Sequence, residues 1–404
     1  MRLKDKFLPL LAKYDVLSLG IICLFCFITL SYCATTLGIS YYEARIFYGN
    51  GDIIGHIVRA SCSVFGQNDF GMRLPLVIMH IVSIILLYKL SKFYLKYKLD
   101  RILSVLLYVL LPGSVASALI INDAGLIILL TLLLLYIFHL RLNFVFYTLF
   151  CLLVFVDRSF FVLFLSFFIY AIYKKQAGLA WLSAILIGFS IYLFGFDTYG
   201  KPSGHFVDTF GIFAAVFSPF VFLFFVYTIY RIWIKEEKEI LWFVSVSAFC
   251  FCMVLSIRQK LELTEFLPFC IIATPLIIRT FLASYRIRLP KFRKSHQISA
   301  FIVISILIIN WFLIIFNPIL YVVTKNPENH FVYKFHIAKD IAKQLKKQNI
   351  HAVYTTDDRL RLELKFYGIS DQGSFELIKN GNDIEIYKYG KRVAGYDLRR
   401  RQGI

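Results

Sequence analysis

The sequence has little charge for its length, and acidic residues are especially scarce. Only 17% of its 404 residues are charged, with 25 Asp and Glu against 44 Lys and Arg. Hydrophobic residues make up 59% of the chain and the mean hydropathy is +0.71, above the roughly half-apolar composition of soluble domains. This composition excludes a typical soluble domain and predicts a polytopic membrane protein.

Patterns that indicate a disulfide framework, a zinc site or a nucleotide site are also missing. Nearly all of the eight cysteines fall inside apolar stretches, where cysteine behaves as a small hydrophobic residue. Gly49-Asn50-Gly51 lacks the strand, spacing and lysine of a phosphate-binding loop. We therefore predict no cofactor and commit to no metal site, although these patterns do not exclude a divalent metal. Without a nucleotide site, any energised donor is expected to be linked to a lipid.

Positive charge is concentrated in alternate loops, which argues against nucleic acid as the partner behind the net charge of +19. Such alternation is typical of the cytoplasmic loops of membrane proteins, so we predict a cytoplasmic N-terminus. The basic loops contain Arg2, Lys4, Lys6 and Lys13; Lys89, Lys92, Lys96, Lys98 and Arg101; Arg141; Lys174 and Lys175; Arg231, Lys235 and Lys238; and Arg286, Arg288, Lys291, Arg293 and Lys294.

Apolar stretches of spanning length predict about eleven transmembrane helices. The first, from Val16 to Ala34, approaches the ~20 residues that cross a bilayer, and no small-residue cleavage site follows it convincingly. We therefore predict a retained first span in place of a cleaved signal peptide. With an odd number of spans, the C-terminus lies on the outer side.

The last part of the chain changes character at about residue 325, where charges become frequent and no spanning stretch remains. Helical spacing from Phe335 to Gln348 and the strand-like segments 352–354 and 384–387 predict a minimal α/β fold. The fold class is thus an all-α polytopic membrane protein with a small C-terminal α/β domain. We predict a transmembrane domain over residues 1–324 and an outer domain over residues 325–404.

The segment between the first two spans has a two-sided helical pattern. Apolar side chains from Ile53 to Phe65 share one helical face, and His56 and Arg59 share another. This pattern predicts an amphipathic helix lying in the membrane interface. As a lone interfacial histidine, His56 is a weaker candidate ligand, and we interpret it as structural.

The topology predicted from the basic loops places several charged residues at the outer surface of the membrane. Ionisable groups at a membrane boundary are costly unless paired or hydrated, so a set at one depth indicates a polar cavity. A carboxylate can accept a proton from an attacking hydroxyl, while Arg and Lys neutralise charge on a departing lipid phosphate. Each residue alone could equally cap a helix or face water. The candidate carboxylates are Glu43, Asp123 and Asp157, and the candidate phosphate ligands are Arg45, Arg73, Arg258 and Lys260.

Short motifs resemble the membrane glycosyltransferases of the C-type fold, particularly the protein O-mannosyltransferase and lipid A aminoarabinose transferase branch. They occur in the family's order over most of the membrane region. The matching places are Glu43-Ala44-Arg45; Phe65-Gly66 through Arg73-Leu74-Pro75; Asp123 after the span of Pro112; and Arg258, Lys260 and Leu267-Pro268 leading to Thr274-Pro275.

The resemblance implies an inverting glycosyltransferase at the outer face of the inner membrane, with membrane lipids as its surroundings. The donor would be a polyprenyl-phosphate-linked sugar and the acceptor a protein or a glycolipid. Glu43 would be the base or orient the acceptor, with Asp123 and Asp157 in reserve. The family usually has Asp-Glu in the first motif, whereas Tyr42 here precedes Glu43, so altered chemistry or an inactive scaffold is also open.

A transporter or flippase of lipid-linked glycan is the alternative function. It requires polar residues distributed through the depth of the spans, or broken helices at mid-membrane. The segments 126–136 and 160–170 are almost wholly apolar. The clustering of charge at one face therefore favours an enzyme that works at a surface.

Overall fold

The computed structural model describes residues 15–49, 51–195, 204–322, 324, 326, 327, 330 and 332–401, most of them in apolar helices. The predicted basic N-terminal segment (Arg2, Lys4, Lys6 and Lys13) and Asn50 between Gly49 and Gly51 lie outside the described residues. The helices of the membrane region are α1 Asp15–Thr36, α2 Tyr41–Tyr48, α3 Ile53–Phe65, α4 Asp69–Tyr94, α5 Lys98–Leu110, α6 Pro112–Leu119, α7 Ala124–His139, α8 Asn143–Leu152, α9 Phe160–Tyr173, α10 Ala177–Phe194, α11 Phe206–Phe217, α12 Pro219–Lys235, α13 Ile240–Ser256, α14 Leu267–Ile271, α15 Thr274–Ile287 and α16 Pro290–Ile315.

Length and composition identify a multi-pass membrane protein. Within the described residues, five helical stretches are long and apolar enough to cross a membrane, or up to seven if two bent helix pairs each count as one span. Five further apolar helices have 10–17 residues, shorter than the ~20 residues of a straight span. One of these five is α3, the helix that the sequence predicted to be interfacial. The predicted number of about eleven is reached if each of the other four also crosses.

Residues 102–121 and residues 209–230, each predicted from hydropathy as one of the eleven spans, are bent. Helices α5 and α6 meet at 62°, and helices α11 and α12 meet at 104°. In both pairs a proline, Pro112 or Pro219, begins the second helix. Proline lacks the N–H that would continue the first helix, and Ser218 before Pro219 has a left-handed φ of 70°. Hydropathy alone is blind to these breaks because the flanking residues remain apolar.

The chain divides into two compact units. The first comprises Met1–Phe27, Ile78–Ala118 and Asp123–Trp311. Its interior is rich in aromatic rings: the ring of Phe167 lies 5.5, 5.4 and 4.9 Å from the rings of Phe138, Phe146 and Phe150, centroid to centroid. Such contacts pack α7, α8 and α9 together.

The second unit comprises Ile28–Val77, Leu119–Asn122 and Phe312–Ile404. Its C-terminal part contains α17 Tyr333–Lys347, α18 Asp358–Phe366 and the antiparallel strands β1 Phe375–Lys388 and β2 Lys391–Arg400. Buried Ile337, Ile341 and Leu345 of α17 pack into one core with residues of both strands. This confirms the small C-terminal α/β fold, and the boundary predicted at residue 324 stays a prediction.

The sequence patterns located the elements of this part well. The predicted helix from Phe335 to Gln348 is α17, and residues 384–387 lie in β1. The segment 352–354 forms two isolated bridges, Ala352 to Ser370 and Tyr354 to Glu376.

Candidate functional site

Helix α2, which carries the Glu43 motif, begins with a capping box. The backbone N–H of Ser40 donates to Oε2 of Glu43 at 2.9 Å, and the N–H of Glu43 donates to Oγ of Ser40 at 3.5 Å. These two bonds satisfy donors that a helix start leaves free. The Ser-x-x-Glu spacing of residues 40–43 therefore fixes where α2 begins and draws the Glu43 carboxylate back toward its own helix terminus.

Arg73 of α4 completes the surroundings of Glu43. Its Nη2 lies 3.0 Å from Oε2 of Glu43, and the two side chains are 0% and 1% exposed. The same guanidinium donates to the backbone oxygens of Leu37, Gly38 and Leu119 at 2.9, 2.8 and 2.8 Å. Every nitrogen of this guanidinium has an acceptor. Arg73 therefore ties two other backbone segments of the second unit, at Leu37-Gly38 and at Leu119, to one carboxylate.

The Glu43 carboxylate has no oxygen without a donor. Besides Ser40 and Arg73, the N–H of Ile121 donates to its Oε1 at 3.1 Å. A general base must come within hydrogen-bond reach of the proton that it removes, and this carboxylate is enclosed. The exposed side of α2 carries Tyr42 and Arg45. The catalytic role of Glu43 stays a prediction, while the geometry favours a role in positioning α2.

A second buried carboxylate, that of Asp69 at the start of α4, joins this helix to the C-terminal part. The hydroxyl of Tyr367 donates to Oδ1 of Asp69 at 2.6 Å and accepts from the N–H of Ile39 at 2.9 Å. Lys339 lies 2.7 Å from Oδ2 of Asp69. Burial, followed by the Asp69 charge, raises the pKa of Tyr367, so the phenol keeps its proton. No sequence pattern pointed to this cluster, because its members are separated by about 300 residues in the chain.

Glu363 of α18 is buried near the start of α2. Burial, followed by the charge of Asp357, raises the pKa of Glu363 from its ordinary 4.5 to about 8. A hydrogen bond from the backbone of Tyr41 lowers it in part, and the charge of Glu43 raises it further. The carboxyl is therefore mostly protonated at neutral pH, which keeps a second negative charge away from Glu43. Sequence reasoning missed Glu363 because nothing in its helix marks it as buried.

The first unit carries a separate acidic and basic cluster at the turn before α9. Arg158 lies 3.1 Å from Oε2 of Glu262 and also pairs with Glu265. Burial raises the pKa of Glu265 to about 7, Arg158 lowers it, and the charges of Asp157 and Glu262 raise it. Oδ1 of Asp157 accepts from the N–H of Ser159 at 2.8 Å. Glu265 is thus poised near neutral pH, as a general base or acid requires.

The remaining predicted residues are placed as follows. Asp123 is half-buried as the residue before α7, and Arg258 and Lys260 are exposed between α13 and the turn Leu263–Glu265. Arg45 is exposed on α2 and His56 is exposed on α3. The structure brings Glu43 and Arg73 into direct contact and places Asp157 beside the Arg158 cluster. Glu43, Arg45, His56 and Arg73 belong to the second unit, and Asp123, Asp157, Arg258 and Lys260 belong to the first.

A metal site is not formed by the residues that the structure describes: no group of three or more His, Cys, Asp or Glu among them could hold an ion. The prediction that the carboxylates act without a metal stays a prediction. The charged groups present in the described clusters are carboxylates, guanidiniums and ammoniums. Such groups can move protons and hold phosphates.

Comparison with solved structures shows where this fold occurs. The chain is similar to ArnT from Cupriavidus metallidurans bound to undecaprenyl phosphate, with a TM-score of 0.54 and 11% identity over 88% of this chain and 76% of that chain. The apo state of the same protein gives a TM-score of 0.49 and 12% identity over 88% and 75%. No protein-family model matches the sequence, and no curated protein matches it significantly. At this identity the likeness to lipid-bound ArnT shows the fold alone, and it confirms that the chain has the C-type membrane glycosyltransferase fold predicted from its motifs.

Proposed function

We propose that the chain is a membrane glycosyltransferase that moves a sugar from a polyprenyl-phosphate-linked donor to a protein or glycolipid acceptor. The observation that carries this proposal is the fold shared with ArnT, which was solved with undecaprenyl phosphate, over 88% of this chain. The active face is the outer face of the inner membrane, with the N-terminus in the cytoplasm. The alternation of basic loops supports this orientation.

Exposed cations are the proposed ligands of the donor phosphate. Arg258 and Lys260 of the first unit are exposed, so their charged groups can reach a lipid phosphate, Arg258 through two parallel hydrogen bonds. Arg45 of the second unit is also exposed and is a separate candidate for the same role. Arg73 is fully occupied by Glu43 and by backbone oxygens. We therefore assign Arg73 to holding α2 in place, and its predicted role as a phosphate ligand remains untested.

The base that activates the acceptor is proposed to come from the cluster at Arg158. Glu265 has a pKa of about 7 and a side chain that is 22% exposed, so it can be both partly ionised and reachable at neutral pH. Asp157 and Asp123, the other predicted carboxylates of the first unit, are also half-buried. In the family that the motifs resemble, an Asp usually stands where this chain has Tyr42. In this assignment Glu265, from another segment, takes the role of that Asp.

The proposal is tested by transfer of labelled sugar by the purified protein in liposomes. The donors are a panel of polyprenyl-phosphate sugars, and the acceptors are membrane lipid and membrane protein fractions. We expect Glu265→Gln to lower the rate by at least about a hundredfold, as loss of a general base does. Lys291→Gln, an exposed change in a predicted cytoplasmic loop, is the control and should transfer at the wild-type rate.

The remaining variants separate the candidate bases. Glu43→Gln is compared at equal amounts of folded protein, because its carboxylate also stabilises the fold. A hundredfold loss in Glu43→Gln with full activity in Glu265→Gln would restore Glu43 as the base. Absence of transfer by the wild type from every donor and acceptor would overturn the proposed function.

Transport of a lipid-linked glycan is the second candidate, and the bent helix pairs favour it. Broken helices are common where transporters bind their substrates, and here the bends are 62° and 104°. A flipping assay in liposomes with a fluorescent lipid-linked glycan separates the two functions. A transferase leaves the distribution of the lipid between leaflets unchanged, whereas a flippase equalises it without forming a glycosidic bond.

A further inference from the structure

The first unit contains a second polar feature, at the opposite end of its helices from Asp123 and Asp157. It is a cavity of about 930 Å³ lined by residues of the α7–α8 turn, the α9–α10 turn and the segment before α13. Helix α7 runs from Asp123 to this cavity, which at 1.5 Å per residue places the two ends roughly 24 Å apart. The cavity is therefore distinct from the proposed catalytic cluster.

The charge around this cavity is predominantly positive. Arg141, Lys174 and Lys238 line it, and the ammonium groups of the two lysines lie 5.5 and 5.6 Å from the centre of one ring, that of Tyr173. Among the described residues that line the cavity, Glu239 carries the one carboxylate, and it is paired with Arg279 at 3.4 Å. The cavity thus keeps an excess of positive charge, which suits an anionic ligand.

Backbone geometry adds to the positive potential. Asn143 of α8, Ala177 of α10 and Ile240 of α13 are the first residues of their helices, and all three line the cavity. Among the described residues, the N-cap side chains of these helices make no hydrogen bond to their own helix starts. Three helix N-termini, with their positive dipole ends, therefore lie at one cavity.

The same turns expose large apolar side chains next to the basic ones. Phe144 is 84% exposed, Ile172 is 57% exposed and Trp181 is 73% exposed. A ligand that combines an anionic head with hydrocarbon chains would match both surfaces at once. The cavity volume also exceeds the needs of a small ion and lies in the range of larger organic ligands.

We infer that this cavity binds the phosphate headgroup of an anionic phospholipid, with its acyl chains against the exposed apolar side chains of α8, α9 and α10. The site belongs to the face that carries the basic loops. It does not depend on the proposed glycosyl transfer. Arg141, Lys174 and the N-termini of α8 and α10 hold the phosphate, and Lys238 supplies charge from the third segment.

Native mass spectrometry of the delipidated full-length protein tests the site, with dioleoylphosphatidylglycerol and dioleoylphosphatidylcholine as probes. We expect tighter binding of the anionic lipid by the wild type. The combined change Arg141→Gln, Lys174→Gln and Lys238→Gln should weaken that binding about a hundredfold, at about 1 kcal/mol for each basic residue. The control removes the same charge from exposed positions of the same face, Lys96→Gln, Lys291→Gln and Lys294→Gln, and should change affinity less than about twofold.

Three outcomes would overturn the inference. Equal loss in the control variant would indicate diffuse attraction to the basic face, and unchanged affinity in the cavity variant would place the lipid elsewhere. Displacement of the lipid by millimolar inorganic phosphate would indicate a small-anion site. If the triple variant does not fold, Lys174→Gln alone decides the question, since this side chain is exposed and its loss should still weaken binding about fivefold.

Discussion

At the scale of single residues, the pair of Glu43 and Arg73 shows how a sequence motif can be located correctly and still serve a different purpose. The motif predicted a charged site after the first span, and the structure gives it a charged pair. However, both side chains are buried, and each is hydrogen-bonded to backbone groups of neighbouring segments as well as to the other. Burial depends on chain segments that the motif does not contain, including Leu119 and Ile121, so residue types alone could not distinguish a base from a structural anchor.

The stability of the protein should depend strongly on this pair. Glu43→Gln leaves a buried guanidinium without its carboxylate, which typically costs about 3–5 kcal/mol. Glu262→Gln is the matched control, because its ion pair with Arg158 has a carboxylate that is 76% exposed and such pairs contribute at most about 1 kcal/mol. Thermal unfolding in one detergent measures both. Similar melting temperatures for the two variants would contradict a structural role for Glu43.

At the scale of elements, the periodicity of the sequence identified the helices and strands, and failed at the breaks between them. Helix α3 and helix α17 were predicted close to their observed bounds because one face of each is regularly apolar. The bends after α5 and α11 were missed, since the flanking residues give one continuous hydropathy signal. Proline marks both breaks, and it was the signal that could have revealed them.

The packing of α18 near the start of α2 should make stability depend on pH. Glu363 has a folded pKa of about 8 against an ordinary 4.5, so the folded state binds the extra proton. Its contribution is complete below about pH 4.5 and is lost as the pH rises through about 8. We expect Glu363→Gln to remove this part of the decline, so that the variant unfolds at a higher temperature than wild type at pH 9. Parallel pH profiles of the melting temperature would contradict the assignment.

At the scale of the whole molecule, the sequence patterns predicted the all-α membrane class and the C-type membrane glycosyltransferase fold. Which chain segments form each compact unit could be seen only in the structure. The C-terminal residues belong to the same unit as residues 28–77. Asp69, Lys339 and Tyr367 connect them through short hydrogen bonds. A Cβ at Gly38 would collide with the carbonyl oxygen of Phe335, which explains a glycine there. Contacts between such distant positions cannot be inferred from local patterns in one sequence.

This grouping predicts that changes in the C-terminal part alter the local opening of α2 and α3. In the variant Lys339→Gln with Tyr367→Phe, the buried Asp69 carboxylate loses both of these partners, at a cost of about 1–3 kcal/mol for an unsatisfied buried group. We expect amide hydrogen exchange in α2 and α3 to accelerate about tenfold or more. Lys388→Gln is the control, because it breaks an ion pair with Asp340 within the C-terminal part and leaves Asp69 untouched. If exchange in α2 and α3 stays at the wild-type rate in the double variant, residues 325–404 behave as an independent domain, and the coupling inferred from Asp69 is wrong.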